Sequence, residues 1–197
     1  HHSLFVKSDG SLHAMGYNSS GQLGDGTTTH KNTPVQIVSS GVTQISAGAF
    51  HSLFLKTDGS LHAMGKNSYG QLGDGTTTNR NSPVQVVSSG VTQIAAGYPH
   101  SLFLKSDGSL HAMGWNNNGQ LGDGTTTNRI SPVQVATGLM LPQASDDNST
   151  LAYYTLSVDG NRSNGAGGNL ASLAGPKPTL AGTSYLGAVD GITIYDR

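Results

Sequence analysis

The chain has 197 residues, a formal net charge of −1, no cysteine and no glutamate. The lack of cysteine excludes disulfides and thiolate metal sites, and the near-neutral charge gives no overall bias toward nucleic acid or an anionic membrane. The apolar runs are far shorter than the ~20 residues needed to span a bilayer. With 28 glycines and 11% charged residues, the composition favours short strands and tight turns over helices.

A repeat with a period of 49 residues occupies most of the chain, with copies that start at His2, His51 and His100. Residues 51–86 and 100–135 differ at five of 36 positions, and residues 2–37 and 51–86 differ at eight. Such a period is typical of solenoids, propellers and arrays, whose units cannot bury their apolar faces alone. We therefore predict repeats over 1–138, a linker over 139–150 and a β-rich tail over 151–197.

Each copy predicts four strands, which in the second copy are residues 52–56, 60–64, 84–87 and 91–97. The first two are joined by Asp58-Gly59, a strong hairpin signal because glycine tolerates positive φ and aspartate bonds its own backbone. A polar loop with the sequence Gly-Asp-Gly-Thr-Thr-Thr separates the second strand from the third. Four short antiparallel strands per repeat predict one propeller blade per repeat.

Two sets of recurring polar residues are interpreted as structural. Equivalent histidines fall in different blades, too far apart to share one ion, so we expect hydrogen-bonded histidines and no metal or cofactor. The loop aspartates are expected to cap the threonines that follow them. The residues concerned are His2, His51, His100, His13, His62, His111, Asp25, Asp74 and Asp123.

No Ser/His/Asp set and no pair of carboxylates at catalytic spacing stands out from the repeat. Because every candidate recurs in near-identical copies, a single asymmetric active site has no obvious place to form. The sequence therefore predicts no catalytic residue and no enzymatic activity.

The copies differ most in the loop after the second strand, on an otherwise constant scaffold. Binding residues usually lie in such loops, and aromatic tips suit contact with sugars or proteins. Neutral drift in exposed loops explains the same variation and remains an alternative. The candidate ligand-binding residues at the loop tips are Tyr17, Lys66, Tyr69, Trp115, Asn117 and Asn118.

A cation recurs at one loop position, as Lys31, Arg80 and Arg129. These residues are a possible anion-binding rim. Each repeat also carries aspartates that nearly cancel its positive charge, so nucleic acid is not expected as a partner.

Residues 96–102, 107–116 and 119–122 resemble the regulator-of-chromosome-condensation (RCC1-like) repeat, of bacterial type. They match its small-Gly pair before His-Ser, its Asp-Gly hairpin, its aromatic-Gly before Asn and its Gly-Gln-Leu-Gly. The resemblance implies an all-β propeller-type array of about three four-stranded blades. Family members form seven-bladed rings, so this chain would form a partial propeller or one completed by oligomerisation. Met15, Met64 and Met113 stand where the family usually has tryptophan, which weakens the predicted packing there.

The tail has a different character from the repeats. Residues 151–156 and 185–197 resemble the opening and closing strands of a laminin-G-like or concanavalin-like domain, in abbreviated form. A few strands that cap an open edge of the repeat array are the alternative interpretation.

These observations predict a non-enzymatic binding or adhesion module, extracellular or at the cell surface. Its partner would be a carbohydrate or a protein, with self-association or the remainder of a longer chain covering the open blade faces. One alternative is a structural repeat protein that assembles into a ring or fibre through its open edges. Another is a fragment of a larger glycan-active enzyme.

Overall fold

The computed structural model describes residues 1–139, and every regular element in that part of the chain is a β-strand. The predicted all-β fold class is therefore confirmed. The strands are β1 His2–Val6, β2 Leu12–Gly16, β3 Lys31–Val38, β4 Val42–Ala47, β5 His51–Lys56, β6 Leu61–Gly65, β7 Arg80–Val87, β8 Val91–Ala96, β9 His100–Lys105, β10 Leu110–Gly114 and β11 Arg129–Ala136. All of the predicted linker (139–150) except Leu139, and all of the predicted tail (151–197), lie outside the described residues.

The strands form three antiparallel sheets, which we name the first (β1–β3), second (β4–β7) and third (β8–β11). The phase of the repeat differs from the sequence prediction. Strand Val91–Ala96 was assigned to the end of the second copy, but it pairs with β9 and opens the third sheet. The reason is that a tight connection at residues 97–99 folds β8 back onto the next copy. Each complete sheet therefore takes its first strand from the preceding copy.

The third copy loses the repeat pattern after Val135, where Ala-Thr-Gly-Leu replaces the Val-Ser-Ser-Gly of the second copy, and this phase accounts for the place. The third sheet is complete at Ala136 because its first strand has already been supplied. The altered sequence that follows keeps the normal connection, since Leu139 N donates to the Gly108 carbonyl at 3.0 Å, as Val91 N does to that of Gly59.

The third strand of each copy begins earlier than predicted. Strand β7 starts at Arg80 and continues through Pro83. Proline lacks an N–H donor and is normally confined to edge strands or bulges. Strand β7 is the outer strand of its sheet and pairs only with β6, so the proline breaks no ladder.

The core lies between successive sheets rather than inside any one of them. Side chains alternate along each strand, so every sheet has two apolar faces. One cluster joins the first and second sheets and consists of Leu4, Leu12, Ala14, Leu23, Val42, Phe54 and Met64. The other joins the second and third sheets and consists of Leu53, Leu55, Leu61, Ala63, Leu72, Val91, Ala96, Phe103 and Met113.

The methionines pack better than the sequence suggested. Met64 and Met113 are fully buried, each against the Gly-Gln-Leu-Gly loop of the preceding sheet. A Cβ on Gly24 would lie 2.6 Å from Met64 Sδ, and one on Gly73 would collide with Met113 Sδ. Methionine therefore packs well at this position, because the second loop glycine leaves room for the flexible thioether.

Candidate binding site at the loop end of the sheets

Two sets of loops meet at one end of the sheets and are fastened together through the backbone. Tyr17 N donates to the carbonyl of His1, Lys66 N to that of Phe50, and Trp115 N to that of Pro99, at 2.8–2.9 Å. These bonds continue the hairpin ladder beyond the strands. The first variable residue of each loop is therefore held beside the residue that precedes the His-Ser pair.

Five side chains form what we call the aromatic cluster: His1, Tyr17, His30, Phe50 and Tyr98. Tyr17 stacks on His30 with ring centroids 4.6 Å apart and meets Phe50 edge to face at 6.1 Å. Phe50 meets Tyr98 edge to face, also at 6.1 Å, and His1 lies within 6.3 Å of both Tyr17 and Phe50. Tyr98 is 61% exposed and Tyr17 is 37% exposed, so the cluster faces solvent.

The predicted loop-tip residues divide into three groups. Lys66 joins the aromatic cluster, because its Nζ lies over the Phe50 ring, 5.4 Å from the centroid. Tyr69 and Trp115 form a separate pair with centroids 6.2 Å apart. Asn117 and Asn118 are exposed and have no aromatic neighbour in the described part. The structure does not test whether any of them binds a ligand, and their binding role remains a prediction.

Sequence reasoning missed Phe50 and Tyr98, which link the variable loops of neighbouring copies. A signal was present, because residues 49–50 read Ala-Phe where residues 98–99 read Tyr-Pro, in a stretch that is otherwise nearly constant. The spatial consequence depended on the tight connection between β4 and β5. That connection places residue 50 beside the loop that follows β6.

A buried asparagine holds each variable loop in shape. Asn116 is fully buried, and its Oδ1 accepts from Leu121 N at 2.9 Å. Its Nδ2 donates to Asp123 Oδ1 and the Thr125 carbonyl, both at 3.0 Å. Asn18 and Asn67 make the corresponding bonds in their own loops. The constant part of the loop is therefore an internal framework, and the variable residues project from it.

The loop aspartates cap the threonines, as the sequence predicted. Asp74 Oδ1 accepts from the backbone N–H and the hydroxyl of Thr76 at 3.0 and 2.7 Å. For Asp123, the hydrogen bond from the Thr125 hydroxyl, and after it the one from Arg129, hold the pKa below its usual range.

The candidate anion-rim cations are paired with these same aspartates. Their contacts are Lys31 Nζ to Asp25 at 3.2 Å, Arg80 Nε to Asp74 at 2.7 Å and Arg129 Nε to Asp123 at 2.5 Å. An anion would therefore have to compete with a carboxylate at every position. The anion rim remains a prediction, and its cations already support the loops.

The prediction of hydrogen-bonded histidines is confirmed for His2, His13, His51, His62 and His111. The His100 side chain makes no hydrogen bond to a described residue. His51 Nε2 lies 2.9 Å from Ser101 Oγ, and Ser101 Oγ donates to the Gln71 carbonyl at 2.7 Å. His2 makes the same contact with Ser52 at 2.7 Å. The histidines of the second strands lie 3.1 Å from the serines two residues before them, in the pairs Ser11–His13, Ser60–His62 and Ser109–His111.

The His-Ser contact also determines the protonation state. A serine hydroxyl can donate one hydrogen bond, and Ser101 donates its bond to a carbonyl. His51 Nε2 must therefore be the donor to Ser101. Nδ1 then carries the lone pair, and it is buried without a hydrogen-bond partner among the described residues. Burial lowers the pKa of His51 to about 3 and that of His2 to about 4. Both are therefore neutral at pH 7.

The part of the chain that the structure describes contains neither a metal-binding cluster nor a helix that could span a membrane. No group of three or more His, Cys, Asp or Glu side chains there could hold one metal ion. No helix there has the length and hydropathy needed to cross a membrane.

The chain is similar to solved structures of larger proteins. It matches human WBSCR16 with 27% identity and a TM-score of 0.59, over 68% of this chain and 35% of that one. It matches Prp20p from Saccharomyces cerevisiae, described with its binding to Gsp1p and histones, with 22% identity and a TM-score of 0.60, over 69% and 36%. Yeast RCC1 (Prp20) bound to Kap60 gives 22% and 0.60, over 69% and 35%. The chain thus spans about a third of each.

A search of curated protein sequences finds no match. The sequence profile of the regulator of chromosome condensation (RCC1) repeat matches residues 9–55, 58–104 and 107–141, which is more than half of the chain. A second profile of the same repeat matches residues 42–71 and 91–120. With three matched repeats, and sheets that stack as the repeat requires, the chain belongs to the RCC1 repeat family.

Proposed function

We propose that the chain is a non-enzymatic binding module whose aromatic cluster takes a segment of a partner protein. The observation that carries the proposal is the exposed run of rings from Tyr17 through Phe50 to Tyr98. Exposed aromatic residues on a rigid scaffold supply contact area at low entropic cost, and they are enriched where proteins bind each other. Prp20p, which is similar in fold, binds Gsp1p and histones, which supports the same general role.

The ring geometry favours a protein segment over a sugar. A pyranose needs one open, flat ring face on which to stack, but the rings of the cluster meet edge to face at interplanar angles of 65–75°. His30 covers one face of Tyr17, and Lys66 lies over Phe50. Tilted rings present edges and faces in several directions, which suits the varied side chains of an extended peptide. A carbohydrate is the alternative ligand, and the experiment below tests for it as well.

The test uses a random peptide library displayed on phage and, in parallel, a glycan array, both probed with the full 197-residue chain. We expect selected peptides to bind Tyr98→Ala and Tyr17→Ala at least about tenfold more weakly. They should bind Lys7→Ala unchanged, because that exposed residue lies at the opposite end of the first sheet. Selected peptides that bind all three variants equally would contradict the proposal. Glycan binding without peptide selection would assign the cluster to carbohydrate.

The extracellular or cell-surface location also remains a proposal. It rests on the bacterial type of the repeat, and protease shaving of intact cells that express the protein checks it. Loss of the protein from intact cells is expected, and protection until the cells are lysed would contradict it.

A further inference from the structure

The two outermost faces of the described array correspond to the two opposite sides of the interface that joins neighbouring sheets. We call forward the face of a sheet that packs on the following sheet, and backward the face that packs on the preceding one. In the second sheet the forward face carries His51 and Leu53, and the backward face carries Ser52, Phe54 and Met64. Within residues 1–139, no sheet covers the backward face of the first sheet or the forward face of the third.

The uncovered backward face lacks the burial that its equivalents have. Phe5 and Met15 of the first sheet are half-buried, whereas Phe54 is 1% exposed and Met64 is completely buried at the same positions of the second sheet. All four have nearly the same local sequence, so the difference comes from the missing neighbour.

The uncovered forward face shows the complementary pattern. Leu102 and Leu110 of the third sheet are half-buried, whereas Leu53 and Leu61 are completely buried in the second sheet. Leu104 and Ala112 on the same face remain buried, so the loss of burial is confined to part of the face. No described residue fills the recess that receives a methionine in the other sheets. A Cβ on Gly122 would meet no atom within 4 Å, although one on Gly24 would lie 2.6 Å from Met64 Sδ.

The polar contacts of the interface are divided between the two faces in the same way. His2 bonds Ser52 and His51 bonds Ser101, each from a forward face to a backward face. His100 holds the donor position on the uncovered forward face, and Ser3 holds the acceptor position on the uncovered backward face. Neither makes this inter-sheet bond within the described residues.

We propose that the chain associates head to tail with a second copy of itself, the backward face of one first sheet packing on the forward face of the other third sheet. Phe5 and Met15 then take the places of Phe54 and Met64, and Ser3 accepts from His100 of the second copy. A second copy is the occupant because an interface of this kind already forms twice within the chain; the first sheet differs in having three strands, with no equivalent of β4 and β8 among the described residues. Residues 2–37 and 51–86 differ at eight of 36 positions, and neither Phe5 nor Met15 is at one of them.

A contact between two different faces is heterologous, so it either closes into a ring or continues as a filament. This distinguishes it from a symmetric dimer, in which one face meets itself. The inference does not depend on the aromatic cluster, which lies at the loop end of the sheets and not on either face.

The test pairs one variant on each face of the full 197-residue chain, Met15→Asp and Leu102→Asp, in sedimentation velocity across a dilution series. The native chain should form species larger than a monomer as concentration rises. Each variant alone should associate at least roughly tenfold more weakly. Their equimolar mixture should form a 1:1 dimer and stop there, because each variant keeps one intact face. Ser68→Asp adds the same charge at an exposed site in the loop that follows β6 of the second sheet. This variant should associate like the native chain.

Recovery of the dimer on mixing shows that both variants are folded, and circular dichroism of each variant checks this independently. A native chain that remains a monomer up to its solubility limit overturns the proposal. Association lost in only one of the two variants, or in neither, also overturns it, since that result belongs to a symmetric or unrelated contact. Loss in both without recovery on mixing overturns it too.

Discussion

At the scale of single residues, the recurring His-Ser pair has one role that is divided between two sheets. The two residues are adjacent in sequence, so their side chains point to opposite faces of the strand. The histidine of one copy therefore donates a hydrogen bond to the serine of the next copy. The hydroxyl of that serine donates in turn to a loop carbonyl in the histidine's own copy. A repeat that keeps both residues reproduces the contact at every interface.

Removing the serine hydroxyl should leave two buried groups unpaired. Ser101→Ala takes away the acceptor of His51 Nε2–H and the donor to the Gln71 carbonyl. We expect a loss of about 1–3 kcal/mol in the free energy of unfolding, the cost of burying unsatisfied polar groups. Urea titration measures it, with Ser68→Ala, an exposed serine, as the control. A loss no larger than that of the control would contradict the role given to Ser101.

The buried histidines should make the fold sensitive to mild acid. Below about pH 6.5 the unfolded chain protonates each histidine, whereas folded His2 stays neutral to about pH 4 and folded His51 to about pH 3. Stability is therefore complete above about pH 6.5 and falls as pH drops toward those values. The slope is about 1.4 kcal/mol per pH unit for each such histidine.

Urea titrations between pH 7.5 and 4.5 measure this slope. Over this range the aspartates of residues 1–139 stay ionised, because the pKa of each is lowered. His51→Gln keeps an N–H donor but cannot be protonated. It should therefore reduce the slope by about 1.4 kcal/mol per pH unit, the contribution of one proton. A slope identical to that of the native chain would show that His51 titrates normally when folded.

At the scale of elements, the variable loop combines an invariant interior with a changeable surface. Asn116 and its equivalents satisfy the backbone from inside, so the loop keeps its path whatever residues occupy its tip. Neighbouring loops can then carry tyrosine, lysine or tryptophan at one position without a change in fold. This separation allows binding residues to vary without loss of stability.

Two adjacent asparagines of the third loop test this separation. Asn116→Ala removes a fully buried side chain that bonds Leu121 N, Asp123 and the Thr125 carbonyl, and it should cost at least about 2 kcal/mol. Asn117→Ala alters an exposed neighbour and should change stability by less than about 0.5 kcal/mol. Urea titration measures both, and limited proteolysis should show faster cleavage near this loop only in Asn116→Ala. Equal effects would place the framework elsewhere.

At the scale of the whole molecule, stability comes from the stacking of sheets. The two apolar clusters both lie between sheets, as expected for a repeat array whose units depend on their neighbours. The phase shift ties these interfaces together, because β4 and β8 each belong to one copy in sequence and to the next in space.

Equivalent loop glycines measure the contact between sheets separately from backbone strain. Gly73 and Gly122 have φ values of +76° and +75°, so alanine at either costs about 1–2 kcal/mol for the left-handed conformation. Only at Gly73 does the new methyl group collide with Met113 of the next sheet, which should add about 1–3 kcal/mol. Urea titration at concentrations where the chain is monomeric gives the difference. Equal losses would show that Met113 moves aside without cost.

Interactions between neighbouring residues could be predicted from the sequence alone. The Asp-Gly hairpins, the aspartate caps on the threonines and the four-stranded unit all depend on residues close in sequence. The histidines were predicted to be structural because equivalent residues had to lie in different sheets. The tight packing of the methionines could not be predicted in this way, because it depends on the absence of a Cβ at a loop glycine of the preceding copy.

The sequence by itself determined the period, the strands and the family resemblance, because a 49-residue pattern repeated almost unchanged permits one local structure. Only the tertiary structure decided which strands share a sheet, and which variable residues meet. Phe50 and Tyr98 approach each other across two copies, 48 residues apart. The distance between their rings depends on how the sheets stack. The stacking results from apolar burial between sheets, which no local pattern encodes.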